Sequence, residues 1–273
     1  MGTLYLVATP IGNLEDISQR ALRILREVRW IAAEDTRQTM KLLNHFSIHT
    51  PLISFHEHSQ RSKMDQILQY LDEGDLALVS DAGTPLLNDP GYLLVSAAIA
   101  AGHTIQPIPG ACAPIAALIA SGLRPDTFIY LGYLPRKSSD RSKFIQNIAT
   151  LPYTLVLLET PHRLLEALQD IKKELGEREI SIARELTKVH EEFIRGTLSE
   201  VIDHFSTKPP RGELTLVIAG YYEERKKWSR EQLDTAIRDR IKQDHSPSEL
   251  ASQLASESGW PRRDIYRMIQ KSH

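Results

Sequence analysis

The sequence predicts an α/β protein with two α/β domains, residues 1–122 and 123–222, and a small C-terminal helical region, 223–273. Three observations predict it. Short apolar runs alternate with helical patterns over the first 220 residues, which argues for βα units and largely parallel sheets. Gly122-Leu123-Arg124-Pro125-Asp126 interrupts that alternation as a linker. After Gly220 the strand-like runs stop, and Glu223-Glu224-Arg225-Lys226-Lys227 leads into helical patterns alone.

In chain order, the predicted strands are Leu4–Thr9, Trp30–Ala33, Leu76–Ser80, Thr104–Pro109, Phe128–Leu131, Thr154–Leu158, Ile180–Ala183 and Leu214–Ala219. Between the first two, Asp16 with Gln19 resembles a capping box, and Ile17, Ala21, Ile24, Leu25 and Val28 share one helical face. Gly102 closes a second helix, Gly176 closes the helix that Thr160-Pro161 opens, and Thr197 with Glu200 caps another. In the tail, Ser229 with Gln232 and Ser246 with Glu249 are two further capping boxes. Gly259-Trp260-Pro261 then breaks the chain before a helix carrying Arg262, Arg263 and Arg267. That arrangement fits a helix-turn-helix on nucleic acid, or a small cap packed through Leu250, Leu254 and Ile265.

The composition is that of an ordinary globular chain: 25% charged, with a net charge of −2. A polyanionic partner would therefore need a local basic surface. The single cysteine excludes an internal disulfide and fits a reducing compartment. No apolar run approaches the length of a membrane span. With no basic segment before the first strand, the expectation is a soluble cytoplasmic protein without a membrane partner.

Ligands of open α/β sheets sit beyond the C-terminal ends of strands. Three such ends are rich in Gly, Pro and small polar residues: Thr9-Pro10-Ile11-Gly12-Asn13-Leu14, Ser80-Asp81-Ala82-Gly83-Thr84-Pro85 continuing to Gly91, and Pro109-Gly110-Ala111-Cys112-Ala113. Glycines admit a ligand close to the backbone, and prolines hold a loop's shape. The dinucleotide pattern G-x-G-x-x-G does not follow the first strand, and the P-loop pattern is absent. His56-Glu57-His58 offers two histidines on one face but no third ligand, so no metal is expected. Cys112 has no paired-base motif beside it and reads as a small buried residue.

Charged runs also end strands: Glu34-Asp35-Thr36-Arg37, Glu159-Thr160-Pro161-His162-Arg163 and Ala183-Arg184-Glu185-Leu186-Thr187-Lys188. Each is either a solvated helix start, with Asp35 or Thr36 as an N-cap, or a set of groups facing a ligand.

At these residues the sequence resembles the ribosomal RNA small subunit methyltransferase I family of the tetrapyrrole methylase superfamily. The likeness rests on Thr9–Leu14, Ala33–Arg37, Ser80–Gly91 and Ala183–Lys188, and runs from Leu4 to about Gly220. Pro109-Gly110-Ala111-Cys112 departs from the commoner Pro-Gly-Pro-Cys. The resemblance implies two α/β domains of the class III methyltransferase type, with S-adenosylmethionine in the cleft between them, and a homodimer. It implies 2′-O-methylation of a ribose in 16S rRNA (cytidine 1402), as free RNA or within the small ribosomal subunit. By motif, Pro10, Asp81, Gly83, Thr84, Ala111 and Cys112 would contact the cofactor from one domain. Glu159, Ala183, Leu214 and Thr215 would contact it from the other.

A ribose hydroxyl is a weak acid, so a base or an alkoxide-stabilising cation is expected beside it. Asp35, Glu185 and His56 are the candidate acceptors, and Arg37, Arg184 and Lys188 the candidate cations. Substrate phosphates would meet Arg184, Arg136, Lys137, Arg262 and Arg263, with His56 beside the substrate. Two alternatives stand beside this reading: a methylase of small tetrapyrroles or of diphthamide on the same fold, and a catalytically silent RNA-binding module.

Overall fold

The computed structural model describes residues 2–56, 60–222, 228–241 and 246–271. The chain divides into two compact units, 1–221 and 222–273. The first unit holds two five-stranded sheets.

The first sheet contains β1 (Thr3–Val7), β2 (Trp30–Ala33), β3 (Leu52–Ser54), β4 (Leu76–Val79) and β5 (Thr104–Ile108), in the order β3-β2-β4-β1-β5. All its pairings are parallel. Alternate residues serve opposite faces, as a two-residue period requires. Val7, Ile31, Ala77 and Val79 face α1 (Gln19–Glu27) and α2 (Thr36–His45), while Leu4, Ala32, Leu76 and Leu78 face α3 (Gln60–Glu73) and α4 (Tyr92–Ala100). Burial on both faces explains why these strands read as continuous apolar runs.

The second sheet contains β6 (Phe128–Tyr133), β7 (Thr154–Glu159), β8 (Glu179–Arg184), β9 (Glu192–Thr197) and β10 (Leu214–Ile218), in the order β6-β7-β10-β8-β9. Here the expectation of largely parallel pairing fails: only β6 and β7 run parallel. The loop 185–191 is too short for a crossover, so β9 must return antiparallel to β8. One face packs on α6 (Ser138–Ile148), α7 (Leu164–Leu175) and α8 (Leu198–Thr207). On the other face, Val156, Ala183 and Val217 meet Ala117 and Leu118 of α5 (Ala113–Ala120), with Ile11 and Leu186 completing the seam between the sheets.

Ser18, not Asp16, caps α1: its hydroxyl accepts from the Ala21 N–H at 3.0 Å. Asp16 instead ends a 3-10 turn capped by Asn13. The capping boxes at Thr197, Ser229 and Ser246 form as expected. Strands β3 and β9 were not expected, and β6 runs two residues further, past a register shift between Tyr130 and Gly132.

Among the described residues the second unit is three helices, α9 (Arg230–Arg240), α10 (Pro247–Ser258) and α11 (Arg262–Lys271). They close around Leu233, Ile237, Leu250, Leu254, Ile265 and Ile269. Gly259 turns α10 into α11 from the left-handed region. Residues 223–227, expected to lead into this tail, lie outside the described residues. No helix among the described residues is long and apolar enough to cross a membrane.

Candidate active site

The three Gly- and Pro-rich loops leave β1, β4 and β5, which lie side by side in the sheet order. They are tied to each other. Thr9 and Gly83 exchange backbone hydrogen bonds at 2.9 and 3.0 Å, and the Thr84 hydroxyl donates to the Ala111 carbonyl at 3.0 Å. Gly83 holds φ +81°, and a Cβ there would meet Ile11 at 3.1 Å. A side chain at this position would thus strain the loop and push on Ile11.

Between these loops and the second sheet lies a cleft of about 350 Å³, within the size range of small-molecule sites. Asp81, Gly83, Thr84 and Cys112 line it from one side, and Glu159, Ala183, Leu214 and Thr215 from the other. Pro10 and Ala111 stand outside that lining: Pro10 borders a smaller cavity, and Ala111 receives Thr84. Asn88 and Asp89, within a loop expected at the ligand but not singled out in it, also face the cleft, as do Tyr130, Tyr133 and Glu213, which sequence reasoning missed. The Tyr130 hydroxyl donates to Asn88 at 2.5 Å, so the long loop after β4 is fastened across the cleft to β6.

Four carboxylates, Asp81, Asp89, Glu159 and Glu213, line the cleft, and among the described residues no Lys, Arg or His does. Burial first, then Asp81 nearby, pushes Asp89 above the ordinary carboxyl range, against a hydrogen bond from Ser80. Tyr130 is pushed up to about 12 by burial first and then by Tyr133, Cys112 and Asp89. Burial also raises Tyr133, with Glu213, Glu159 and Asp89 adding to it. Glu159 is 3% exposed; one oxygen accepts from the Thr160 N–H at 2.7 Å. The other accepts no hydrogen bond among the described residues, although the Arg163 guanidinium stands 3.4 Å away. A buried acceptor of this kind calls for a donor from a ligand.

The charged loops flank the cleft. Asp35 caps α2 and grips Arg37 through both carboxylate oxygens, at 3.0 and 2.7 Å. Those hydrogen bonds hold its carboxyl down to about 2. Its backbone N–H donates to Asp81 at 2.9 Å, tying the start of α2 to the cleft wall. Opposite, Lys188 sits between Glu185 at 2.9 Å and Glu213 at 3.3 Å. Burial opposes its charge, but the hydrogen bond it donates to Glu185 and the nearby Glu213 carboxylate prevail and its pKa rises, while Lys188 lowers Glu185 in turn. Gly212 leaves room for this arrangement, since a Cβ there would overlap the Glu185 carboxylate.

Other expected site residues stand apart. Arg184 pairs with Glu192 at 2.9 Å. Arg136 and Lys137 are exposed before α6. His56 is exposed after β3, lines neither the cleft nor the smaller cavity, and its companion His58 lies outside the described residues. Among the described residues no three His, Cys, Asp or Glu side chains group to hold a metal ion. Arg262 donates to Ser248 at 2.8 Å, and Arg263 is exposed on α11.

Comparison with known proteins decides the family. Residues 3–202 match the family model for tetrapyrrole (corrin/porphyrin) methylases. The chain belongs to this family. Within it, the chain is 48% identical over 271 residues to ribosomal RNA small subunit methyltransferase I of Synechocystis, covering 98% of this chain and 97% of that one. Thermotoga maritima has a protein of the same name, 47% identical over 221 residues, covering 81% of this chain and 99% of the relative. Both place this tetrapyrrole methylase with the small subunit methyltransferase I proteins. Among solved structures, the methyltransferase CobJ shares the fold, with a TM-score of 0.62 at 16% identity over 81% of this chain and 95% of that one.

Proposed function

We propose that the chain transfers the methyl group of S-adenosylmethionine to a ribose 2′-oxygen of small-subunit ribosomal RNA, by resemblance that of cytidine 1402. The observation that carries this reading is the cleft itself. Its volume suits one nucleoside-sized cofactor, and four carboxylates without a lining base suit a ligand that carries positive charge. The relatives named for small-subunit ribosomal RNA supply the substrate class.

S-adenosylmethionine brings an activated methyl group, so the protein's task is orientation and exclusion of water. The loops after β1, β4 and β5 would hold the cofactor against β7, β8 and β10, with Asp81, Gly83, Thr84 and Cys112 on one side and Glu159, Ala183, Leu214 and Thr215 on the other. The open oxygen of Glu159 would take a donor from the cofactor. Asp35, held near 2, is a weak proton acceptor at neutral pH and acts as the holder of Arg37. Arg37 is 88% exposed in its side chain and would meet a substrate phosphate at the cleft mouth. Lys188, kept charged by Glu185 and Glu213, would serve the same side of the substrate from the second sheet.

The homodimer implied by the resemblance has support in the exposed apolar side chains Tyr92, Leu93 and Ile99 on α4. Light scattering should return about twice the 30.9 kDa chain mass, and a monomer at micromolar concentration would reject it. The reading as a whole is tested by methyl transfer to unmethylated small subunits, specified at the end of the Discussion.

A further inference from the structure

The segment between β4 and α4, Pro85-Leu86-Leu87-Asn88-Asp89-Pro90, is strained and bonded across the cleft. Leu86 and Asn88 hold φ of 72° and 69°, in the left-handed region. Asparagine tolerates that region, whereas leucine rarely adopts it. A residue held there persists only where its surroundings fix it. The ends of the segment are fixed. Before it, the Thr84 hydroxyl donates to the Ala111 carbonyl at 3.0 Å. After it, Gly91 lies so close to Leu78 that a Cβ would stand 2.9 Å from that side chain. Proline rings at 85 and 90 stiffen both junctions.

Between those ends the segment reaches the second sheet. Tyr130 of β6 donates its hydroxyl to Asn88 Oδ1 at 2.5 Å. The Asn88 amide also lies on Gly132, where an added Cβ would meet its Nδ2 at 2.6 Å. Gly132 itself holds φ +63°, just past the register shift in β6. Leu87, Asn88, Asp89 and Tyr130 all line the cleft, and Leu87 and Asn88 are exposed as well. The bond therefore lies at the solvent edge of the cleft. Burial pushes the Tyr130 hydroxyl up to about 12, so it keeps its proton and remains a donor throughout the neutral range.

We infer that Tyr130 and Asn88 form a latch that opens to admit and release the cofactor, and that their hydrogen bond sets the rate of exchange. The inference rests on the cofactor reading above and deepens it. A strained segment with fixed ends has a relaxed alternative once the bond breaks, which gives the two arrangements that a gate needs. The same latch stands in the way of entry and of exit. Weakening it speeds both and leaves the equilibrium constant in place.

Surface plasmon resonance of S-adenosylmethionine on the immobilised full chain reads both rates. Tyr130→Phe keeps the ring and removes the hydroxyl. It should raise the association and dissociation rates together by about fivefold, the worth of one hydrogen bond, with the dissociation constant within about twofold of the wild type. Asn88→Gly, which removes the acceptor and suits the left-handed backbone, should do the same. The double variant should match either single change, because both remove the same bond. Faster dissociation alone, with affinity lost in proportion, would make Tyr130 a cofactor contact and overturn the latch. Wild-type rates in both single variants would overturn it too. No binding of S-adenosylmethionine by the wild type would defeat the cofactor reading itself, and the inference with it.

Discussion

Single residues in the cleft are held there at a cost to the fold. Asp89 is the clearest case: burial raises its pKa, so ionising it in the folded state is unfavourable. Because the folded value lies above the unfolded one, its contribution to stability is fully present below the unfolded pKa. That contribution is lost as pH rises through the folded value. Asp89→Asn should therefore raise Tm at pH 7 by about 2 °C, with the gain shrinking toward pH 4. The same variant should bind S-adenosylmethionine several-fold more weakly if the carboxylate favours a cationic ligand. Thermal melts at the two pH values, with cofactor titration at pH 7, read both effects. An unchanged Tm difference between pH 4 and pH 7 would show that Asp89 does not carry this cost. Asp35 behaves in the opposite way: it stays ionised down to about 2, so its grip on Arg37 should not vary across the neutral range.

At the scale of elements, the loop between β8 and β9 is strained. Glu185 and Thr187 hold φ of 52° and 63°, a region that L residues seldom adopt. The Thr187 hydroxyl is also buried with no hydrogen-bond partner among the described residues. Neither feature helps folding, and together they point to the work of presenting Glu185 and Lys188. Thr187→Gly should stabilise the protein by about 1 kcal/mol in urea unfolding and slow methyl transfer through a looser loop. A destabilised variant would place the cause elsewhere. The same loop marks a limit of sequence reasoning. Burial on both faces makes a strand apolar whichever way it pairs, so β7, β8 and β10 were legible as strands while their antiparallel pairing was not. Strand β9, Glu192–Thr197, is an edge carrying Glu192 and Arg195 on exposed positions, and β3 has three residues; neither makes an apolar run. The three loops at the cleft could be read from Gly and Pro placed after strands. Tyr130 and Tyr133 could not: the register shift in β6 and the loop crossing from β4 bring them to the cleft, and no local pattern announces either.

At the scale of the whole molecule, the two units can be tested apart. The Thermotoga relative is covered over 99% of its length by 81% of this chain, leaving a share about the size of the 222–273 unit without a counterpart. The expectation is that unit 1–221 suffices for the chemistry and that the helical unit tunes substrate binding. A chain ending at Tyr221 should fold and bind S-adenosylmethionine like the full chain. Its affinity for small subunits should fall, with a salt dependence shallower by up to about one unit for each phosphate that is no longer neutralised. Full affinity and slope after truncation would make the helical unit a structural cap. The central claim is that the cleft passes a methyl group to a ribose of small-subunit RNA. Its most direct test is single-turnover reaction of the full chain with labelled S-adenosylmethionine and unmethylated small subunits, followed by nuclease digestion and mass analysis of the nucleosides. The predicted result is label in 2′-O-methylcytidine at one position of 16S rRNA. Label on a base, or none on RNA despite cofactor binding, would contradict it.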